Sequence, residues 1–300
     1  MRQDIPVIVI GGYLGAGKTT LLNHLLRHAD GRKIAILVNE FGDLPIDADL
    51  IEAKDDEMIA ISGGCICCSF GSDMTAALIK LAQLDPAPDY VVIEASGVAM
   101  PGAVAASISF LDGFNLGGVV VLADSERIQA QAVDEYLGDT MLRQIHDADL
   151  IVQTKIDLIS SDVVQDVRDW LGSANPKAQV VATAQGRLPP AVILGVEMVA
   201  GQPQASAHAD AGYESRVFSE IPPCDPIKLA KALATGAVGI IRAKGFVADQ
   251  AGQNWLIQIV GERFDVTLAK AKEHIAVVCI GRKGALETGA IGVMFAGDAG

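Results

Sequence analysis

The sequence predicts an α/β protein: a parallel sheet with helices on both faces, followed by a smaller C-terminal α+β domain. Three observations carry this. Over the first part of the chain, short β-branched runs alternate with helical patterns, the rhythm of a parallel sheet whose strands are joined by helical crossovers. The first run leads through a glycine-rich turn straight into a helix. Beyond residue 212, strand-like runs dominate and helical segments are few.

Taken in order, residues 7–10, 34–38, 90–94, 119–122, 150–153 and 180–182 are the strands of the sheet, each a short apolar run. A helix is expected over residues 19–27. Residues 201–212, GQPQASAHADAG, lack large apolar side chains and read as a linker, which places a first domain at 1–200 and a second at 213–300. In that second domain, residues 215–220, 239–243, 256–260 and 275–280 read as strands, with helices at 227–234 and near the C-terminus. The apolar stretch 5–17 behind Arg2 mimics a signal-peptide core, but Asp4 is misplaced for that, and a buried strand running into a glycine loop accounts for it better.

Composition excludes several function classes. The chain has 300 residues and a net charge of −14, from 37 acidic against 23 basic residues, with no lysine- or arginine-rich run. Such a surface repels phosphate backbones and anionic lipid, so neither nucleic acid nor membrane is an expected partner. No run approaches the roughly 20 apolar residues of a membrane span. Three of the five cysteines crowd into one cluster, which suits a metal in a reducing cytoplasm better than a secreted disulfide framework.

Gly12, four residues, then Gly17, Lys18 and Thr19 satisfy the P-loop pattern GxxxxGK[ST], between a strand and a helix as the pattern requires. Backbone N–H groups of Gly12, Gly15, Ala16, Gly17 and Thr20 can turn around phosphate oxygens, Lys18 can neutralise the β and γ groups, and the Thr19 hydroxyl can ligate Mg²⁺. A hydrolase also needs an acidic residue close to the γ-phosphate and a flexible backbone donor. Glu94, at the end of an apolar strand, and Gly97 supply both, and Lys18, Thr19 and Glu94 are the catalytic candidates.

Thr154, Lys155, Ile156 and Asp157 end another apolar strand. An aspartate there can accept hydrogen bonds from guanine N1–H and its amino group while a lysine stem covers the ring, so guanine is expected over adenine. Thr183 and Ala184, after the next strand, are candidate second contacts to the base.

Cys65, Cys67 and Cys68 follow Gly63 and Gly64. Three thiolates select Zn²⁺, with Co²⁺ and Ni²⁺ as competitors, and leave a fourth tetrahedral position open for exchange. A redox pair or packed thiols are the alternatives. Cys224 and Cys279 read as structural, and His24 and His28, four apart, as a solvated helix face.

Together these residues resemble the CobW-like GTPases of the SIMIBI class, a group of metallochaperones and proteins linked to cobalamin synthesis and nitrile hydratase activation. GGYLGAGKTTLLNHLL resembles the family's P-loop, NEFG its switch segment, GCICC its cysteine signature, EASG its third motif, TKID its base motif and IIRAKGF (240–246) its C-terminal domain. The resemblance implies GTP hydrolysis coupled to delivery of Zn²⁺, Co²⁺ or a related ion to a client metalloprotein or cofactor-assembly enzyme. It also implies that Glu40 and Asp47 lie near the Mg²⁺ and metal sites. Two departures stand out: Thr154 replaces the usual asparagine of the base motif, which implies weaker guanine affinity, and no histidine-rich tract is present. The rival readings are a P-loop kinase or ATPase with structural cysteines, and a nucleotide-switched binding protein without metal traffic; the oligomeric state is left open.

Overall fold

The computed structural model describes residues 4–29, 31–39, 60–63, 72–195, 212–269 and 274–296. The chain divides into two compact units, Arg2–Pro190 and Ala191–Gly300. Of the linker expected at 201–212, residues 201–211 lie outside the described residues.

In the first unit the strands are β1 (Ile5–Gly11), β2 (Ile34–Asn39), β3 (Ala60–Gly63), β4 (Tyr90–Glu94), β5 (Phe114–Asp124), β6 (Leu150–Thr154) and β7 (Gln179–Ala182). Among the described residues these seven pair in parallel in the order β3-β2-β4-β1-β5-β6-β7. The helices are α1 (Lys18–Arg27), α2 (Ser72–Gln83), α3 (Pro101–Ile108), the short α4 (Ile128–Ala132), α5 (Gly138–Asp147), α6 (Ser161–Ala174) and α7 (Pro190–Leu194), which straddles the division.

Central strands read as unbroken apolar runs because both faces are covered. Alternate residues Val7 and Val9, Val91 and Ile93, and Val119 and Val121 form one core with Leu78 and Leu81 of α2, Val104 and Ile108 of α3, Met141 and Ile145 of α5, and Leu171 of α6. Their neighbours Ile8, Ile10, Val92 and Val120 are equally buried and, by strand alternation, face the other way. Leu21, Leu22 and Leu25 bury the apolar stripe of α1 outside that first core. Because all strands run parallel, Gly11, Glu94, Asp124, Thr154 and Ala182 emerge at one edge, where open α/β sheets bind ligands.

The second unit holds β8 (Tyr213–Ser219), α8 (Pro226–Leu233), β9 (Ile240–Ala248), β10 (Asn254–Val260), β11 (Arg263–Leu268), β12 (Ala276–Arg282) and α9 (Thr288–Ala296). Its strands form an antiparallel sheet in the order β11-β10-β9-β12-β8. Residues 240–246 lie in β9, the central strand. The carboxylate of Asp225 accepts from Ile227 N and Lys228 N, and Pro226 opens the helix behind this N-cap. Leu229 and Leu233 of α8 and Ile291 and Phe295 of α9 then pack on Val247, Ile257, Val277 and Cys279. Burial pushes the Cys279 thiol up to about 12, so it stays protonated and packs as a small hydrophobe. Burial and the neighbouring Asp225 also raise Cys224. No helix among the described residues is long and apolar enough to cross a membrane.

Candidate functional site

Between β1 and α1 the chain turns through Gly12, Gly15 and Gly17, whose φ angles of 129°, 76° and 99° are costly for residues with a side chain. At Gly12 a Cβ would also stand 2.7 Å from the Leu122 carbonyl oxygen of β5, so glycine there lets the loop lie directly on the sheet. Gly17 caps α1 in left-handed conformation with no side-chain hydrogen bond. First-turn N–H groups of such a helix are suited to an anion.

Lys18 is bent back over this loop. Its Nζ donates to Gly12 O at 3.0 Å and lies 3.9 Å from Glu94 Oε1, with side-chain exposures of 8% and 5% for the two residues. A nearly buried cation held against a nearly buried carboxylate is a strong local field. Thr19 is half-buried, while Gly15 and Thr20 are exposed. A hard cation such as Mg²⁺ takes oxygen ligands. The Thr19 hydroxyl in α1 and the Glu94 carboxylate at the end of β4 are donors of that kind.

The turn after Glu94 closes on the P-loop: a Cβ on Gly97 would lie 2.9 Å from both N and Cγ of Leu14. Gln144 of α5, buried, fixes this turn by donating both amide hydrogens, to Gly97 O at 3.0 Å and Ala99 O at 2.9 Å. Three residues on, Asp147 accepts from Gly102 N at the start of α3. Sequence reasoning missed Gln144, because nothing in the local pattern connects it to a turn 47 residues away.

At the base motif, Lys155 takes φ 56°, left-handed backbone on a non-glycine residue, a strain that a functional site sustains. Its Nζ donates to Asp124 Oδ2 at 2.6 Å, so the aliphatic stem is drawn out across the edge of the sheet. Asp124 is buried and also accepts from Glu126 N. The signal for Asp124 was present, since VVVLAD is an apolar strand ending in a carboxylate as YVVIE is. Asp157 stands exposed in the single turn Ile156–Leu158. Thr183 is buried with its hydroxyl donating to Ala184 O, and Ala184 is half-buried.

Thr154, a candidate nucleotide contact in the sequence, is held by the protein itself. It is 4% exposed, and the hydroxyl lies 2.8 Å from Ala16 O in the P-loop and 3.2 Å from Ala123 O. The side chain therefore ties the base motif to the phosphate loop. Replacing Thr154 with valine leaves the Ala16 carbonyl without this donor at a cost of about 1–3 kcal/mol. Nucleotide affinity in a calorimetric titration is expected to fall roughly tenfold, and serine to restore it.

His24 departs from the solvated face. It is half-buried, its Nε2 donates to Leu188 O at 2.9 Å, and its ring lies 4.2 Å from that of the exposed His28. Burial lowers its pKa below 6.5, with His28, Arg187 and Arg27 adding to the effect. Glu40, Asp47, Cys65, Cys67 and Cys68 lie outside the described residues. Among the described residues, no group of three or more metal-ligating side chains gathers.

Comparison with known proteins agrees with this geometry. Residues 6–182 match the model of the CobW/HypB/UreG nucleotide-binding domain, and residues 213–295 that of the cobalamin synthesis protein cobW C-terminal domain. A zinc chaperone CobW from Sinorhizobium sp. is 32% identical over 311 residues, covering 88% of this chain and 87% of its own. Zinc-regulated GTPase metalloprotein activator 1 from Schizosaccharomyces pombe is 34% identical over 196 residues, 62% of this chain and 47% of its own. The Zn(II)-bound YjiA GTPase of E. coli has the same fold across 99% of both chains, with a TM-score of 0.50 and 24% identity. The chain thus belongs to the CobW/HypB/UreG nucleotide-binding family and carries a CobW C-terminal domain behind its parallel-sheet unit.

Proposed function

We propose that this protein is a GTP-hydrolysing metallochaperone of the reducing cytoplasm. It takes a transition metal, zinc or cobalt, on Cys65, Cys67 and Cys68 and passes it to a client metalloprotein or cofactor-assembly enzyme under nucleotide control. The observation that carries the reading is the gathering, at one edge of one sheet, of the glycine cradle, the Lys18–Glu94 pair and the Asp124-anchored Lys155 beside Asp157. Relatives named zinc chaperone and zinc-regulated GTPase support the cargo and the reaction.

In this reading N–H groups of residues 15–20 and the Lys18 ammonium bind the phosphates, and leaving-group charge develops against that cation. Thr19 and Glu94 would hold Mg²⁺, which supplies further neutralisation of phosphate charge when bound. Asp157 accepts from the guanine edge, the Lys155 stem covers the ring, and Thr154 acts through the P-loop. Glu40 and Asp47 belong to the segment that links nucleotide to thiolates.

If GTP and metal favour the same state of that segment, each tightens the other by the same factor, worth about 1–3 kcal/mol. Zinc titrations of the GTP-loaded and GDP-loaded chain are expected to differ by about fivefold or more in affinity, and competition assays to show GTP preferred over ATP until Asp157 is replaced by alanine. Equal zinc affinities would remove the coupling. ATP binding as tightly as GTP would turn the reading toward an ATPase or kinase.

A further inference from the structure

One face of α1 carries Thr20, Asn23, His24 and Arg27, at helical positions i, i+3, i+4 and i+7, and the C-cap His28 follows on the same side. With Gln185 and Arg187 of the loop after β7, these residues line a depression of about 510 Å³. The loop is fixed there: the Leu188 carbonyl takes the His24 hydrogen bond, and Gly186, at φ 67°, comes so close that a Cβ would meet Leu21 Cα at 3.1 Å.

Two guanidinium groups and two imidazoles line this hollow, together with hydroxyl and amide donors and, among the described residues, no carboxylate, in a chain whose net charge is −14. Arg27, Arg187 and His28 already act against a positive charge on His24. The same field opposes a metal cation on the histidine pair and favours an anion.

Its position narrows the ligand, and this step rests on the nucleotide reading above. Phosphates at the start of α1 and a base at the ends of β6 and β7 require the ribose to cross between Thr20 and the Gln185 loop, alongside this depression. We propose that the depression binds a phosphoryl group carried on a ribose hydroxyl of the guanine nucleotide, in addition to the phosphates held by the P-loop. Arg27 and Arg187 are the cations that recognise it, and Thr20, Asn23 and Gln185 are supporting donors.

The test compares GDP with guanosine 5′-diphosphate 3′-diphosphate by calorimetry on the full chain with Mg²⁺. The added ribose diphosphate is expected to tighten binding by about tenfold or more, as one or two charge-assisted hydrogen bonds would. The Arg27→Ala/Arg187→Ala variant, both positions exposed, is expected to lose that gain and retain its affinity for GDP. Equal affinity of the two nucleotides for the unmodified chain overturns the proposal, as does a gain that survives in the double variant. Inorganic pyrophosphate titrated into the GDP-loaded chain distinguishes a free anion from a nucleotide-borne one. It is expected to bind far more weakly than the tethered group, and equally tight binding overturns the assignment to a nucleotide. Failure of GDP itself to bind the unmodified chain refutes the nucleotide reading underneath.

Discussion

Replacing Lys18 with alanine is expected to lower single-turnover GTP hydrolysis by about a hundredfold to a thousandfold, the usual effect of deleting one preorganised charge that faces the reacting group. The magnitude follows from burial. Lys18 is 8% exposed and its Nζ is held between the Gly12 carbonyl and Glu94, so the ammonium is already aimed and little reorganisation accompanies the reaction. The same burial gives a second consequence. Without the ammonium, the Glu94 carboxylate remains nearly buried beside an emptied position, and breaking a buried pair of this kind costs about 3–5 kcal/mol. Thermal melting of Lys18→Ala in the absence of nucleotide is therefore expected to shift down, and Lys18→Ala/Glu94→Gln to recover part of that loss without recovering hydrolysis. Hydrolysis within about threefold of the unmodified chain would show that Lys18 does not face the transferred phosphate.

The second large effect is expected from Cys65→Ala/Cys67→Ala/Cys68→Ala. Removing every thiolate of the cluster should weaken zinc binding by about a thousandfold or more, because little beyond carboxylates and water would then remain to a borderline metal. Competition against a chromophoric chelator reads this directly. Nucleotide affinity in the apo form is expected to stay nearly constant, since Gly12, Lys18 and the Asp124-anchored Lys155 are held by contacts that involve none of these cysteines. Zinc bound with unchanged affinity would assign the ion to other ligands and reduce the cluster to packing or redox chemistry.

The parallel sheet was legible in the sequence where strands are covered on both faces. Ile5–Gly11, Tyr90–Glu94 and Leu150–Thr154 are apolar because two layers of side chains bury them. Where the apolar run is short or broken by polar residues, that signal fails. Ala60–Gly63 was not predicted, having a single large apolar residue, and Arg263–Leu268 was missed because Arg263, Asp265 and Thr267 break its apolar residues apart on an exposed strand. Strand β9 continues to Ala248, beyond the predicted end at 243, because Lys244 and Gly245 interrupt the apolar run without interrupting the pairing.

The phosphate-loop residues could be read from the sequence alone, since a P-loop is a local structure: glycines at fixed spacing between strand and helix leave the backbone few alternatives. The support of that loop was not local. Gln144 reaches Gly97, Asp124 receives Lys155, and the Thr154 hydroxyl donates to Ala16 O. Each of these contacts joins residues far apart in the chain, and only the packing of parallel strands side by side decides which of them meet. Composition and spacing thus determined the chemistry that the chain can attempt, whereas the tertiary structure decided which side chains hold that chemistry in place. The physical reason is that a hydrogen bond depends on where its partners stand in space.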